Sequence, residues 1–325
     1  MSKLPPGNYA IILTPFKDDG ELDLNGLGAE LDYAISKKLQ GVVVLGSNGE
    51  GPFLTAEEKA RVIKAAGEVC AGKIALVAGA IAMGTKEALE YAQLAKSANC
   101  DSVLAALPQY FNLNLEDVKR HYNYLARNAK LEITLYYVPD CSGLSLRPDQ
   151  LAQIAAIPGV DSMKLTVFNR EFISKTLELC WELNCRVFIG TGLIAYEAMQ
   201  LDAQGPFCPM CLIAPDDFSR LFSLIREKKW EEAFAVQEKI RGGGVALFAG
   251  IDANYDAVKN GFMSIYNTPY HSQVMSHTRA AHHILKEALR LKGLPITNNV
   301  RLPYQRIDEQ KAQWVKKVMA DFGWL

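Results

Sequence analysis

The feature that most constrains this chain is an alternation repeated eight times between a short apolar, β-rich run and an amphipathic helical pattern. Strand candidates lie at residues 10–13, 41–45, 74–80, 102–107, 132–138, 160–165, 186–189 and 206–210. Helical patterns fall between and after them at 24–38, 55–69, 86–98, 115–128, 148–156, 171–183, 193–201 and 216–227. Strands joined through helices must run parallel, and eight such units predict a closed α/β architecture, a (β/α)8 TIM barrel. A doubly wound open sheet shares the same local pattern. Past residue 227 the strand signals stop and only helical candidates follow, at 230–241, 252–263, 274–291 and 308–322. The expected organisation is a barrel over 1–227 with a C-terminal helical region over 228–325. The run Gly242-Gly243-Gly244 after Arg241 predicts a helix end there.

Composition narrows the partners. With a net charge of −1 the chain has no basic excess, and no long Lys/Arg run suggests a nucleic-acid footprint; the near-neutral balance argues against docking on an anionic membrane. Small, uncharged partners suit such a chain better. The start Met1-Ser2-Lys3-Leu4-Pro5-Pro6 carries no apolar signal segment, and no apolar stretch reaches the roughly 18 residues of a spanning helix, so the expected location is cytoplasmic. Seven cysteines, odd in number and scattered through periodic segments, suit reduced thiols.

Within the sixth strand candidate, Val160-Asp161-Ser162-Met163-Lys164-Leu165, stands a cation in an otherwise apolar run. A lysine there is paired, snorkels to water, or is held partly neutral, and a neutral amine attacks carbonyl carbon to form a Schiff base. In a barrel the chemistry gathers where strands end. Those ends are Gly46-Ser47-Asn48-Gly49-Glu50, Pro108-Gln109-Tyr110, Tyr136-Tyr137, Lys164 and Gly190-Thr191-Gly192. None of the five histidines, at 121, 271, 277, 282 and 283, falls at such an end. That argues against histidine acid/base work and against a zinc site, and no acidic cluster at the mouth suggests magnesium, so the expected mechanism needs no metal. Cys208-Pro209-Met210-Cys211 is a lone C-x-x-C inside the eighth strand candidate and is expected to pack. A tyrosine is the available proton shuttle. Tyr136 and Tyr137 face opposite sides of their strand, and strand parity leaves open which of them points inward. The Gly46 to Glu50 loop offers backbone N–H groups and the Ser47 hydroxyl, a fit for a carboxylate.

Taken together, these stretches resemble the pyruvate-dependent class I aldolases and lyases grouped with dihydrodipicolinate synthase and N-acetylneuraminate lyase. The resemblance covers nearly the whole chain. It rests on Leu13-Thr14-Pro15-Phe16, Gly46-Ser47-Asn48-Gly49-Glu50 with Leu54-Thr55-Ala56-Glu57-Glu58, Tyr136-Tyr137-Val138-Pro139 with Ser142-Gly143, Met163-Lys164 and Val300-Arg301-Leu302-Pro303. It implies a barrel with a helical C-terminal region, assembled as a homotetramer of two tight dimers, and it implies roles. Lys164 matches the Schiff-base lysine, and Tyr136 matches the proton-moving tyrosine. Ser47 and Asn48 match the pair that holds the keto acid carboxylate. Tyr110 matches an aromatic that crosses the dimer interface to complete a hydroxyl relay. Thr166, Cys141 and Gly190 complete the expected substrate-binding set.

Departures from the family pattern bear on the substrate. Cys141 stands where relatives that make dihydrodipicolinate usually carry an arginine for the second substrate's carboxylate, which disfavours condensation with aspartate semialdehyde. Asn48 replaces a commoner threonine, Tyr137 a frequent asparagine, and Phe168 is expected to wall a more apolar mouth. The expected reaction makes or breaks the C3–C4 bond of a 4-hydroxy-2-keto acid, with pyruvate and an aldehyde as partners and no external cofactor. A 2-keto-3-deoxy sugar-acid dehydratase and a non-catalytic keto-acid-binding protein are the alternatives.

Overall fold

The computed structural model describes residues 4–249 and 281–325, with residues 260, 261, 263, 264, 266 and 267 between them. The helical candidate at 252–263, the start of that at 274–291, and His271 and His277 fall largely or wholly outside the described residues. Seven parallel strands lie in sequence order: β1 (Tyr9–Ile11), β2 (Gly41–Val44), β3 (Ala75–Ala80), β4 (Ser102–Ala106), β5 (Glu132–Tyr137), β6 (Val160–Leu165) and β7 (Arg186–Ile189). The sheet curls until β7 and β1 are joined through Pro206 and Phe207, which bridge Ile189 and Tyr9 in parallel. Backbone bonds make that seam, beginning with Gly7 N to Gln204 O and Gln204 N to Val187 O, each at 2.8 Å. Tyr9 N donates to Pro206 O at 2.9 Å, Cys208 N to Tyr9 O at 3.0 Å, Ile189 N to Gly205 O at 2.9 Å and Phe207 N to Ile189 O at 2.8 Å. The eighth strand expected over 206–210 is thus reduced to this pair of bridges. Pro206 and Pro209 have no N–H to give a ladder, and the chain turns into a short helix at Met210–Ile213. Cys208 and Cys211 consequently straddle the seam and that helix; both are buried, and desolvation pushes the Cys208 thiol up to about 11.

Between and after the strands run α1 (Leu24–Ser36), α2 (Ala56–Cys70), α3 (Thr85–Ser97), α4 (Leu115–Asn128), α5 (Pro139–Ser142), α6 (Pro148–Ala155), α7 (Arg170–Glu182), α8 (Ala195–Gln200), α9 (Met210–Ile213) and α10 (Pro215–Arg226). Their starts are fixed locally. Thr55 with Glu58, and Asn114 with Asp117, close reciprocal capping boxes at α2 and α4.

Two apolar cores result from the strands' two faces. The larger lies between strands and helices. The smaller fills the cylinder with Tyr9, Ile11, Val43, Val77, Leu104, Ala106, Tyr136, Phe188 and Phe207. Tyr9, Phe188 and Phe207 pack with ring centroids 4.3 to 5.1 Å apart, so aromatic contact adds to the backbone bonds that hold the seam. A buried hydroxyl string, Ser102 Oγ to Thr134 Oγ1 and Thr134 Oγ1 to Ser162 Oγ, each 2.7 Å, crosses β4, β5 and β6.

The C-terminal helices are α11 (Trp230–Ala249), α12 (His282–Leu291) and α13 (Glu309–Asp321). The glycine run expected to end a helix lies inside α11 instead. The reason is tertiary. A Cβ on Gly243 would stand 2.1 Å from the Trp324 ring, and one on Gly244 would stand 2.6 Å from Leu193, so glycine lets the helix lie flush against both. No helix among the described residues is long and apolar enough to cross a membrane.

Candidate active site

Lys164 lies near the end of β6 and is 4% exposed. In β6 the side chains of Ser162 and Lys164 share the face turned into the cylinder, as Thr134 and Tyr136 do in β5, and Tyr136 stands directly beside Lys164 in the strand register. The Lys164 Nζ sits over the Tyr136 ring, 4.3 Å from its centroid. The Tyr136 hydroxyl in turn lies 3.3 Å from Ser47 Oγ, across the barrel mouth on the loop after β2. Amine, phenol and alcohol therefore come together from three sequence positions more than 27 residues apart. Tyr137 faces the other way. Its hydroxyl accepts from Leu146 N at 2.8 Å and donates to Leu146 O at 3.1 Å, while its ring stacks on Phe172 in the outer core.

The Ser47 loop is tightly wound. Leu45 and Glu50 adopt left-handed backbone angles, φ 58° and 56°, Glu50 N donates to Ser47 O at 3.1 Å, and Gly51 N to Gly46 O at 3.2 Å. A Cβ on Gly51 would lie 2.3 Å from Leu45 O, so the fold of the turn requires glycine there. The Thr14 hydroxyl donates to Gly49 O at 2.5 Å and pins the turn from the loop after β1. Asn48 is half-buried beside Ser47.

Thr166 follows β6 and is buried, and its Oγ1 has no hydrogen-bond partner among the described residues. Gly190, after β7, packs directly on it: a Cβ at 190 would lie 1.9 Å from Thr166 Oγ1. Other expected site residues stand apart. Tyr110 has φ 83° and is 82% exposed, edge-on to the equally outward Phe111, so within one chain it does not join the Tyr136–Ser47 pair. Cys141 lies exposed on α5. Phe168, expected to wall the mouth, joins the outer core instead.

Behind the Ser47 loop lies a buried charged cluster that the sequence reading did not single out. The Glu50 carboxylate is fully buried, accepting from Lys286 Nζ of α12 at 2.5 Å and from Arg301 N at 2.7 Å. Burial pushes Glu50 up and Lys286 down, and their mutual attraction opposes both shifts. Glu30 of α1 accepts from Leu13 N at 3.0 Å with its second oxygen unpartnered among the described residues, and burial raises it to about 8. Lys286 and Arg301 both face the Phe16 ring, and Arg301 also binds Glu58. On the opposite side Gln237 of α11 donates to the carbonyls of Gly192 and Leu193 and accepts from Tyr196 N, while Arg241 binds Leu193 O, Glu197 and Glu238. One signal could have found Lys286: it is a cation amid Ile284-Leu285 and Ala288-Leu289, the same kind of exception that marks Lys164.

Residues 5–265 match the model of the dihydrodipicolinate synthetase family. The chain belongs to this family. The 4-hydroxy-tetrahydrodipicolinate synthase of Methanosphaerula palustris is 28% identical over 97% of this chain and 99% of its own. That of Methanococcus vannielii is 31% identical over 72% of this chain and 80% of its own. A dihydrodipicolinate synthase from Thermotoga maritima superposes with a TM-score of 0.84 at 25% identity, covering 99% of this chain and 100% of that one. A prophage protein of the family from E. coli K12, solved in complex with pyruvate, gives 0.83 at 20% identity, covering 98% and 99%. The (β/α)8 barrel with a helical C-terminal part is thus the architecture of the family.

Proposed function

We propose that this member of the dihydrodipicolinate synthetase family is a pyruvate-dependent class I aldolase or lyase, with Lys164 as its Schiff-base nucleophile. The observation that carries the reading is the buried Lys164 amine stacked on Tyr136, whose hydroxyl meets Ser47. A pyruvate complex of a structural relative agrees with a keto-acid substrate. Deprotonated Lys164 attacks the keto carbon of a 4-hydroxy-2-keto acid, and the C=O pair becomes the carbinolamine hydroxyl. Tyr136 hands that hydroxyl a proton, water leaves, and the protonated imine remains. A base then removes the proton of the 4-hydroxyl, the C3–C4 bond breaks, and its electron pair flows into the imine to give an enamine and a free aldehyde. Protonation at C3 and addition of water release pyruvate and the amine. Ser47 and Asn48 hold the carboxylate, and the Thr166 hydroxyl, packed on Gly190 and unpartnered among the described residues, meets the variable end of the substrate.

The relatives' shared name makes a synthase the competing outcome, yet Cys141 offers no cation for a second carboxylate. The test is borohydride reduction in the presence of pyruvate with peptide mapping, followed by product analysis on 4-hydroxy-2-keto acids and on aspartate semialdehyde with pyruvate. The reading expects a pyruvate-derived adduct on Lys164 and pyruvate release from the first set. An unmodified Lys164 overturns the mechanism, and turnover confined to aspartate semialdehyde makes the protein a synthase. The outward Tyr110 and Phe111 fit a homotetramer in which Tyr110 reaches a neighbouring subunit, measurable by light scattering.

A further inference from the structure

The turn that carries Ser47 and Asn48 is fastened from behind by residues far along the chain. Its last residue, Glu50, has left-handed backbone and a fully buried carboxylate, three residues from Ser47. That carboxylate is held by Lys286 of α12 and by the backbone of Arg301. Lys286 also donates to Asn299 O at 2.7 Å. The same C-terminal segment grips the loop after β1: Thr297 Oγ1 donates to Phe16 O at 2.6 Å and Asn299 Nδ2 to Lys17 O at 2.8 Å. The loop after β1 in turn supplies Thr14, which holds Gly49. Two of these routes lead into the turn at Gly46 to Gly51, one through Glu50 and one through Thr14.

A buried ion pair contributes little net stability because both charges lose their water, and what it supplies best is one fixed geometry. We propose that Glu50 and Lys286 are positioning residues: the pair fixes the turn so that Ser47 Oγ and the neighbouring N–H groups converge on the substrate carboxylate, and α12 thereby sets the affinity for keto acids. This rests on the reading of Ser47 and Asn48 as the carboxylate site. The contacts differ in kind from those at Lys164. Among the described residues no hydrogen bond links the cluster directly to the amine, so the pair acts on where the carboxylate sits and leaves imine chemistry alone.

The test compares two carbonyl probes, pyruvate and acetone, in borohydride trapping of Lys164 by the full chain. Acetone forms the same imine but lacks a carboxylate. The variant Glu50→Gln with Lys286→Met removes both charges together and so leaves neither ion stranded. It is expected to raise the pyruvate concentration that half-saturates trapping by roughly tenfold, the worth of one good charge-assisted contact, while trapping by acetone stays within about twofold of wild type. Should that variant fail to fold, Lys286→Arg, which keeps the charge and shifts it, is expected to show the same selective loss of pyruvate. Equal losses for both probes would mean a purely structural staple, and unchanged pyruvate half-saturation would mean no role; either overturns the inference. If wild type itself is not trapped at Lys164 by pyruvate, the proposed function fails and the inference falls with it.

Discussion

Among the described residues three regions bury lysine, and the barrel mouth treats it unlike the other two. At the barrel mouth Lys164 meets the face of Tyr136 and, among the described residues, no carboxylate. In the seam between α12 and the barrel, Lys286 is at least as deeply buried but carries a carboxylate at 2.5 Å and a carbonyl at 2.7 Å. Lys59, between α2 and α3, follows the second pattern, with the Tyr91 hydroxyl at 3.1 Å and Glu87 at 3.8 Å. Depth alone therefore does not mark a reactive amine. A matched cation holds elements together, while a cation without an anionic partner keeps its lone pair within reach of a substrate once the proton is lost.

Replacing each member of the comparison should separate the two roles. Lys164→Met is expected to abolish borohydride trapping and turnover while the melting temperature holds or rises, since a methionine needs no solvation; a large loss of stability would break the contrast. Tyr136→Phe should keep the adduct but lower kcat by roughly 10² to 10⁴-fold, seen in steady-state assays. Lys286→Met does the reverse. It strands Glu50 without its cation and is expected to cost about 3 to 5 kcal/mol in urea unfolding.

A subtler effect concerns Glu30, whose carboxyl burial raises to about 8 from an ordinary value of 4.5. Its folded form holds a proton that the unfolded chain has released, so its contribution is full below pH 4.5 and is lost as pH climbs through 8. The groups that act on it are the Leu13 N–H and Lys286, both of which favour the charged form. The buried histidines His121 and His282, pushed down to about 4 and 3, act only below pH 6.5. Between pH 6.5 and 8 Glu30→Gln should therefore flatten the decline in stability, by at most about 1.4 kcal/mol per pH unit, in denaturation curves at successive pH values.

What the sequence made legible was whatever a short window encodes. Seven strands follow from apolar runs, and Lys164 stands out as a charge within one of them. Strand parity could not choose between Tyr136 and Tyr137, because that depends on how β5 registers with β6. The glycine run misled because the demand for Gly243 comes from Trp324, 81 residues later. Glu50 was in view as part of a turn, yet its partner Lys286 lies 236 residues away, and no local rule joins them. The eighth strand is cut short for a chemical reason: prolines at 206 and 209 have no N–H to extend a ladder, so closure is left to a few backbone bonds and packed rings.

That closure also gives the cylinder a zipper. Where β5 and β6 share a long parallel register, Pro206 and Phe207 span the gap from β7 to β1 with a few bonds and three packed rings, edge-on or tilted to one another. If the wall parts anywhere without global unfolding, it parts there. The amides of Ile189, Phe207 and Cys208 should then trade their hydrogens with solvent deuterium sooner than those of Leu135 and Met163.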